Sequence, residues 1–432
     1  MTARLAMRLL PLCLGLACAP TLAETIAIVD AKIYTMTGGA PVENGTIVMR
    51  DGRIVDAGAN VEVPAGARRI EGRGLVVTPA LFNSATQLGL TEVSSVGATN
   101  DHGISEAPLG AAFDIQYALN PRSMLIRQAE ADGLGRAVSF PTSSGAAPFS
   151  GFGALLHLGG GAILERARFA MFADVGGQSS GRAGGSRSAQ WQLIRSALDE
   201  AQALRIAAKP GTPRDSSFSR LDLMALKPVV EGAVPLVIDA NRESDIRQAI
   251  ALTRDYPIRV VVKGGLEAWR AAGELAAAGV AVILDPSINL PLYFDELGAR
   301  ADNAALLQRA GVLVAFRVNL SIHTTFNAGF ALREVAGLAV ANGMDHHVAL
   351  AAITSNPARI WGVADKGGAL APGLDADVVV WDGDPLEPLT GIVAVFLRGR
   401  EVSQATRQIE LRDRYRPRTP APALPPAYRG TQ

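Results

Sequence analysis

The amino-acid sequence predicts an α/β protein, namely a (β/α)8 barrel of the TIM type that carries a small composite β-sandwich domain built from both chain ends. Residues 79–362 alternate short apolar runs with alanine-rich helical patterns, and a stretch of this length suits eight strand–helix units. β-Prone runs separated by turn residues fill 24–78 and 363–404, so the two chain ends are expected to share one sheet. A doubly wound open sheet is the alternative, but no Gly-x-Gly-x-x-Gly motif follows an early strand.

Residues 1–23 have the pattern of a secretory signal peptide. Two arginines precede an apolar run that is too short to span a bilayer, and the segment ends in residues that suit a cleavage site after Ala23. The only two cysteines, Cys13 and Cys18, lie in this segment, so the mature protein would have no disulfide and no cysteine nucleophile. A lipoprotein anchored through Cys18 is the less favoured alternative. The sequence therefore predicts a periplasmic or secreted protein.

The overall composition is that of a globular protein, with 48% hydrophobic and 19% charged residues. Lysine plus arginine equals aspartate plus glutamate, at 41 each, so no net basic field attracts nucleic acid or anionic lipid. No apolar run after the signal segment is long enough to cross a membrane.

Local signals place the individual elements. Asn44-Gly45 and Asp51-Gly52 are hairpin signals among the first strands. The Gly/Ser-rich run 176–188 is expected to be a mobile loop over the barrel mouth, and its backbone amides offer a less favoured anion cradle. Residues 405–432 contain five prolines and are expected to be an extended or disordered tail. In the barrel, strands are expected at 137–140, 235–240, 259–262, 281–284 and 312–316, and helices at 243–254, 265–278, 303–309 and 331–342.

Two stretches carry a resemblance to a known family. Residues 76–93 read Val-Val-Thr-Pro-Ala-Leu-Phe-Asn-Ser-Ala-Thr-Gln-Leu-Gly-Leu-Thr-Glu-Val. Near the C-terminus, Asn-Pro-Ala-Arg is followed by Gly-Ala-Leu-Ala-Pro-Gly-Leu-Asp-Ala-Asp-Val-Val-Val. These two motifs are similar to those of the amidohydrolase superfamily, such as imidazolonepropionase and its periplasmic relatives. The resemblance implies a barrel with a composite sandwich, and hydrolysis of carbon–nitrogen bonds in small amides.

The resemblance also implies zinc or a similar divalent metal at the barrel mouth, but the residues at the family's ligand positions differ. The first-strand histidine pair falls on Ala85 and Gln87, and neither a methyl group nor a neutral carboxamide replaces imidazole as a ligand. Asp239 stands at the strand-five histidine position and Lys263 at the strand-six position. Asn319 replaces the strand-eight aspartate that moves the proton. We therefore expect no metal and no other cofactor.

Asp239 and Lys263 are expected to form an ion pair that fills the former metal cavity, since either charge would be costly if buried singly. The alternative is that Lys263 extends into solvent. With these two residues, His323 just past strand eight completes the set of catalytic candidates.

The other four histidines are given structural roles. His157 is expected to be a satisfied strand residue, and His102 a surface residue in a loop. His346 and His347 are expected in the cap and first turn of a helix.

Two functions follow from these observations. One is an exported hydrolase of small amides with an altered or absent metal site. The other is a non-catalytic protein on the same scaffold that binds a small-molecule ligand or pairs with an active homologue. A homo-oligomer is compatible with either function.

Overall fold

The computed structural model describes residues 24–104, 109–142, 148–177, 179–205, 216–318 and 328–416. The predicted signal peptide, His323, Asn319 and the prolines after residue 416 lie outside these ranges. The strands are β1 Ile26–Ile33, β2 Val42–Arg50, β3 Arg53–Gly58, β4 Arg68–Glu71, β5 Val76–Pro79, β6 Leu81–Thr86, β7 Leu134–Ser139, β8 Phe149–His157, β9 Leu164–Asp174, β10 Leu236–Ala240, β11 Val260–Gly264, β12 Ala281–Leu284, β13 Val314–Phe316, β14 Val378–Trp381, β15 Ile392–Leu397 and β16 Arg400–Glu401. The α-helices are α1 Met124–Ala131, α2 Arg187–Arg205, α3 Arg220–Val230, α4 Glu243–Asp255, α5 Ala272–Ala278, α6 Asn303–Arg309, α7 Phe330–Ala341, α8 His346–Ala351, α9 Ser355–Ile360 and α10 Arg407–Tyr415.

Strands β6 to β13 form one sheet in chain order, and this sheet curves into the barrel. The backbone between α8 and α9 fills the seam between the first and last strands. The amides of Phe82 and Phe316 donate hydrogen bonds of 2.8 and 2.9 Å to the carbonyls of Ile353 and Ala352. The predicted α/β barrel is therefore confirmed.

The third strand is the one departure from the all-parallel pattern. β8 runs antiparallel to both β7 and β9, whereas the other neighbouring strands of the barrel are parallel. Residues 158–163 join β8 to β9, and this link is too short for the crossover that a parallel pair needs. Because two reversals cancel, β9 to β13 still point the same way as β6 and β7.

Apolar side chains fill the inside of the barrel, which is a packed core and not a pore. This core includes Phe82, Ala85, Val138, Leu155, Phe172, Val237, Val261, Ile283 and Ala315. A larger cluster packs the outer face of the strands against the helices. The charged side chains of the barrel strands are consequently expected at the two ends of the barrel.

Strands from both chain ends share the second sheet, as predicted. β5 pairs antiparallel with β14, and the sheet runs from β16 through β1 to β3. The edge strand β3 also bonds the segment before β14, since the amide of Ile54 donates to the carbonyl of Leu374 at 2.9 Å. The composite domain is therefore one continuous sheet that curls over its own core, in place of two separate stacked sheets.

Two local predictions about turns had different outcomes. Asp51 and Gly52, with φ of 54° and 75°, form the predicted tight turn between β2 and β3. The hairpin prediction at Asn44-Gly45 is wrong, because these residues lie inside β2, where Asn44 has φ of 50° and the ladder with β1 is irregular. A left-handed residue in a strand is typical of a bulge.

The C-terminal tail begins as a helix and not as an extended segment. Thr406 caps α10 by accepting a hydrogen bond from the amide of Ile409. No helix in the described ranges is both long and apolar enough to cross a membrane.

Candidate ligand site at the barrel mouth

Charged side chains meet at the carboxyl ends of the barrel strands. Asp174 ends β9 and pairs in register with Asp239 of β10, which pairs in register with Lys263 of β11. Residues in register on parallel neighbours point the same way. Arg317 directly follows β13, and its amide donates to the carbonyl of Leu284 at 3.0 Å. Strands β9, β10, β11 and β13 thus bring these side chains to one end of the barrel.

The predicted ion pair between Asp239 and Lys263 is present. Lys263 Nζ donates to the carboxylate of Asp239, and the lysine side chain is 6% exposed, against 31% for the aspartate. The backbone after Lys263 turns at Gly264, whose φ of 97° favours glycine. A Cβ at Gly264 would also lie 2.4 Å from Asn241 Oδ1, so a larger residue would displace that side chain. The alternative in which Lys263 extends into solvent is wrong.

A cavity of about 220 Å³ opens above these residues. The aromatic rings of Phe140 and Phe172 stack with their centroids 5.2 Å apart, and Lys263 Nζ lies 4.7 Å from the centroid of Phe140. The lining therefore combines an apolar wall with two cations and two carboxylates. It consists of Phe140, Pro141, Thr142, Ser150, Phe172, Ala173, Asp174, Asp239, Lys263 and Arg317.

Burial shifts the protonation equilibria in this cavity. It lowers the pKa of Lys263 below the usual lysine value, with Arg317 adding to the lowering and Asp239 opposing it. It raises the pKa of Asp174 to about 6, with the negative charge of Asp239 adding to the rise. Asp174 accepts hydrogen bonds from the amide of Gly176 and the hydroxyl of Ser179, at 2.8 and 2.9 Å. The site thus holds a carboxyl group that titrates near neutrality beside a buried ammonium.

The residues at the mouth do not fit the divalent metal that the family resemblance implies. Ala85 is fully buried and offers only a methyl group, while the amide nitrogen of Gln87 is buried without a hydrogen-bond partner in the described structure. The carboxylate of Asp239 is engaged by the Lys263 ammonium, a cation that would repel a metal ion. No trio of histidine, cysteine or acidic groups in the described residues of the mouth brings its donor atoms together as a metal site requires.

One such trio does exist, but at the opposite end of the barrel. Donor atoms of His157, Asp375 and Asp377 all lie within 4.8 Å of one another. The guanidinium of Arg136 donates to both aspartates, including a 2.6 Å bond to Asp377, and also donates to Glu165 at 3.2 Å. Arg136 already engages one oxygen of each aspartate, and Arg53 contacts the other oxygen of Asp375, so the cluster is an ion network between barrel and composite sheet.

The described histidines lie in the elements predicted for them, but Nδ1 of His157 is buried without a hydrogen-bond partner in the described structure, so this histidine is satisfied only in part. His157 is buried on β8 with Nε2 3.0 Å from Asp377 Oδ2, and His346 and His347 form the first turn of α8 after the Asp345 cap. His102 lies in a loop as predicted but is half-buried, with Nδ1 2.7 Å from the hydroxyl of Thr142 in the cavity lining.

The Gly/Ser-rich run near the mouth contains helical turns in its described part. Residues Ser180–Ala183 form a 3₁₀ helix, and α2 begins at Arg187. The amide of Gly177 donates to Asp295 at 2.6 Å, just as Gly176 donates to Asp174. These amides therefore hold carboxylates of the protein itself.

Asp174→Asn tests the raised pKa of this carboxyl group through the pH dependence of stability. The pKa of Asp174 is about 6 in the folded state and about 3.9 in the unfolded state. The contribution of Asp174 to stability is therefore complete below the unfolded pKa and is lost as the pH rises through the folded pKa. We expect wild type to lose about 1.4 kcal/mol of stability relative to D174N for each pH unit between these two pKa values. Asparagine keeps an oxygen for Gly176 and Ser179. Urea midpoints at several pH values measure the effect, and parallel curves for the two proteins would contradict it.

Asp132 provides the control for this pH experiment. Burial raises the pKa of Asp132 to about 6 as well, but its carboxylate contacts Gln128 and lies outside the cavity lining. Asp132→Asn should change the pH dependence of stability in the same direction without changing any property of the mouth.

Comparison with known proteins agrees with this architecture. The chain matches the model of the amidohydrolase family over residues 282–404. It is 42% identical over 57 residues to amidohydrolase tasK of Hapsidospora irregularis, which is 13% of this chain and 6% of that protein. It is 39% identical over 71 residues to 5-methylthioadenosine/S-adenosylhomocysteine deaminase of Symbiobacterium thermophilum, which is 16% of each chain. These alignments thus span only a small part of either relative.

Solved structures show the same fold over most of the chain. A crystal structure of an amidohydrolase from Thermotoga maritima MSB8 superposes with a TM-score of 0.78 at 22% identity, covering 88% of this chain and all of that one. Molinate hydrolase gives a TM-score of 0.54 at 18% identity, covering 93% of this chain and 99% of that one. The fold and the place of the cavity define an α/β-barrel protein whose site lies at the carboxyl ends of the strands. Over residues 282–404 the chain is therefore similar to the amidohydrolase family, and the solved structures extend the similarity in fold to most of the chain.

Proposed function

We propose that this protein is an exported member of the superfamily that binds a small molecule at the barrel mouth without a metal and does not hydrolyse it. The observation that carries the proposal is the ion pair of Lys263 with Asp239 at two neighbouring positions where relatives place metal ligands. Export is proposed from the signal-peptide pattern of residues 1–23.

Electrostatics supports a metal-free mouth. At about 4 Å and an effective dielectric constant of about 20, each pair of like unit charges costs about 4 kcal/mol, and a divalent ion doubles this cost. The Lys263 ammonium is held in place by Asp239 and by the ring of Phe140. It provides the positive charge that a metal would provide in a relative, but it cannot ionise a bound water molecule.

Metal content is the direct test. We expect purified mature protein to contain far less than one equivalent of zinc, iron or manganese by elemental analysis. Equilibrium dialysis against zinc should leave the mouth empty, and stoichiometric metal that requires residues of the cavity would overturn the proposal.

Two engineered variants sharpen this test. Ala85→His with Gln87→His restores the imidazole pair but leaves the Lys263 ammonium in the cavity. Adding Lys263→His removes that charge and supplies a third imidazole ligand. We expect the triple variant to bind zinc at least about tenfold more tightly than the double variant. Equal affinities would show that Lys263 does not exclude the metal.

Metal-independent hydrolysis of a small amide is the second candidate function. The observation that favours it is the position of Asp174, whose pKa is raised by burial to about 6, beside Lys263 in one cavity. A carboxyl group that titrates near neutral pH is suited to general acid–base catalysis. In this case the protein would hydrolyse cyclic or linear amides in the presence of a chelator. D174N would abolish the activity, whereas D132N would leave it unchanged.

A further inference from the structure

We propose that the ligand of the barrel-mouth cavity carries a carboxylate group and that Arg317 binds this group. The inference rests on the proposed function and names the chemical class of its ligand. Its basis is a buried arginine whose Nε has no hydrogen-bond partner in the described structure and whose side chain forms no ion pair there.

Arg317 is 7% exposed, and its Nε is buried without a hydrogen-bond partner in the described structure. No described carboxylate forms an ion pair with it. An arginine is almost never buried unless it is paired, because desolvating an unpaired charge is costly. The guanidinium lines the cavity, so a bound anion can supply the missing partner.

The other buried arginines in the described ranges show how this fold normally satisfies a guanidinium. Arg136 is 3% exposed and bonds three carboxylates. Arg333 is also 3% exposed and donates to the carbonyls of Glu387 and Thr390, at 3.0 and 3.1 Å. Nε of Arg333 is also buried without a partner, but Arg317 differs in that the described structure shows no side-chain hydrogen bond from any of its nitrogens, and Arg317 lines a cavity.

The acidic residues of the cavity are already engaged. Asp239 pairs with Lys263, while Asp174 accepts hydrogen bonds from Gly176 and Ser179. The positive charge of Arg317 lowers the pKa of Lys263, which indicates that two cations act on the same small volume. An anion beside Arg317 would relieve this repulsion.

The cavity favours a small monoanion with a planar head. A guanidinium presents a flat fork of donors that matches the two oxygens of a carboxylate. Asp174 and Asp239 border the same space and disfavour a dianion such as phosphate. The stacked rings of Phe140 and Phe172 offer an apolar wall to the rest of the ligand. A volume near 220 Å³ holds roughly seven water molecules at about 30 Å³ each, which suits a compact carboxylic acid.

Benzoate and its neutral isostere benzamide provide the test, with inorganic phosphate as the third probe. Saturation-transfer NMR and calorimetry on the mature protein should show that benzoate binds at least about tenfold more tightly than benzamide or phosphate. Arg317→Gln should weaken benzoate binding by at least about tenfold. The affinity of Arg317→Lys for benzoate should lie between those of wild type and R317Q. Arg398→Gln, which changes a 45% exposed arginine at the opposite end of the barrel, should leave binding unchanged.

A second readout does not depend on ligand affinity. Removing an unpaired buried charge should raise the thermal midpoint of ligand-free R317Q above that of wild type, while benzoate should raise the midpoint of wild type only. If R317Q does not fold, the benzoate and benzamide affinities of wild type and R317K decide the question.

The outcomes separate this inference from the proposed function. Equal binding of benzoate and benzamide, tighter binding of phosphate, or unchanged benzoate affinity in R317Q and R317K would overturn the assignment of Arg317. If the protein is also metal-free in these cases, the proposed function stands. Benzoate binding that disappears with a chelator and accompanies stoichiometric metal would overturn both.

Discussion

Arg136→Met should lower the free energy of unfolding by about 3–5 kcal/mol, the loss expected when one member of a buried ion network is removed. Arg136 lies on β7 and is 3% exposed, and its guanidinium bonds Glu165 of β9 together with Asp375 and Asp377 before β14. Burial disfavours its charged form, but Asp377, Glu165 and Asp375 outweigh this effect and raise the pKa of the arginine. Without it, three buried carboxylates would face one another.

Arg53→Met is the matched control for this prediction. Arg53 contacts the same Asp375 at 2.7 Å, but its side chain is 55% exposed. Buried Asp375 keeps its contact with Arg136 in this variant, so the loss of the exposed Arg53 should cost no more than about 1 kcal/mol. Urea unfolding of the two variants compares a buried and an exposed arginine at one carboxylate. Equal losses would show that the network does not join the barrel to the composite sheet as the geometry indicates.

The sequence predicts this fold well where apolar runs have clear ends. Strand β12 falls on the predicted residues 281–284, between Gly279 and the Asp285-Pro286 pair, and helix α6 falls on the predicted 303–309. The direction of β8 was not predictable in the same way. Its strand pattern is compatible with either direction, and only the short link to β9 fixes the reversal.

The candidate site was predictable only in part. Asp239 and Lys263 could be paired from the sequence because both stand at positions that the family motif identifies. Asp174 and Arg317 were missed, although each is a charged residue that closes an apolar run. Whether such a residue faces the cavity depends on register with strands far away in the sequence, and no local pattern contains that information.

Arg317 is the clearest example of this limit. From the sequence it is an ordinary arginine after a strand, one of the 41 basic residues of the chain. Its significance comes from burial without a partner, which depends on where every neighbouring carboxylate lies. The charged composition of a chain therefore cannot identify a binding residue until the pairing of the charges is known.

Asp239→Asn should lower the free energy of unfolding by about 2–4 kcal/mol, the second large effect expected in this protein. The substitution leaves the Lys263 ammonium without its carboxylate in a buried position. The expected loss is below that of a fully buried network because Asp239 is 31% exposed. Lys263→Met should lower the free energy of unfolding by less. It leaves Asp239 unpaired, and this carboxylate is partly in contact with water, whereas Asp239→Asn strands a lysine that is 6% exposed. The more exposed partner is thus the more costly one to remove.

The double variant Asp239→Asn with Lys263→Met tests whether the two residues act as a pair. Removing both charges eliminates the stranded ammonium and places an apolar chain against Phe140, so stability should return to within about 1 kcal/mol of wild type. Glu43→Gln, at the exposed Lys32–Glu43 pair of the composite sheet, is the control and should change stability by about 0–1 kcal/mol. Urea midpoints at neutral pH compare wild type with the two single variants, the double variant and the Glu43→Gln control. Additive losses in the double variant, or a larger loss for Lys263→Met than for Asp239→Asn, would mean that Asp239 does not stabilise the buried charge of Lys263.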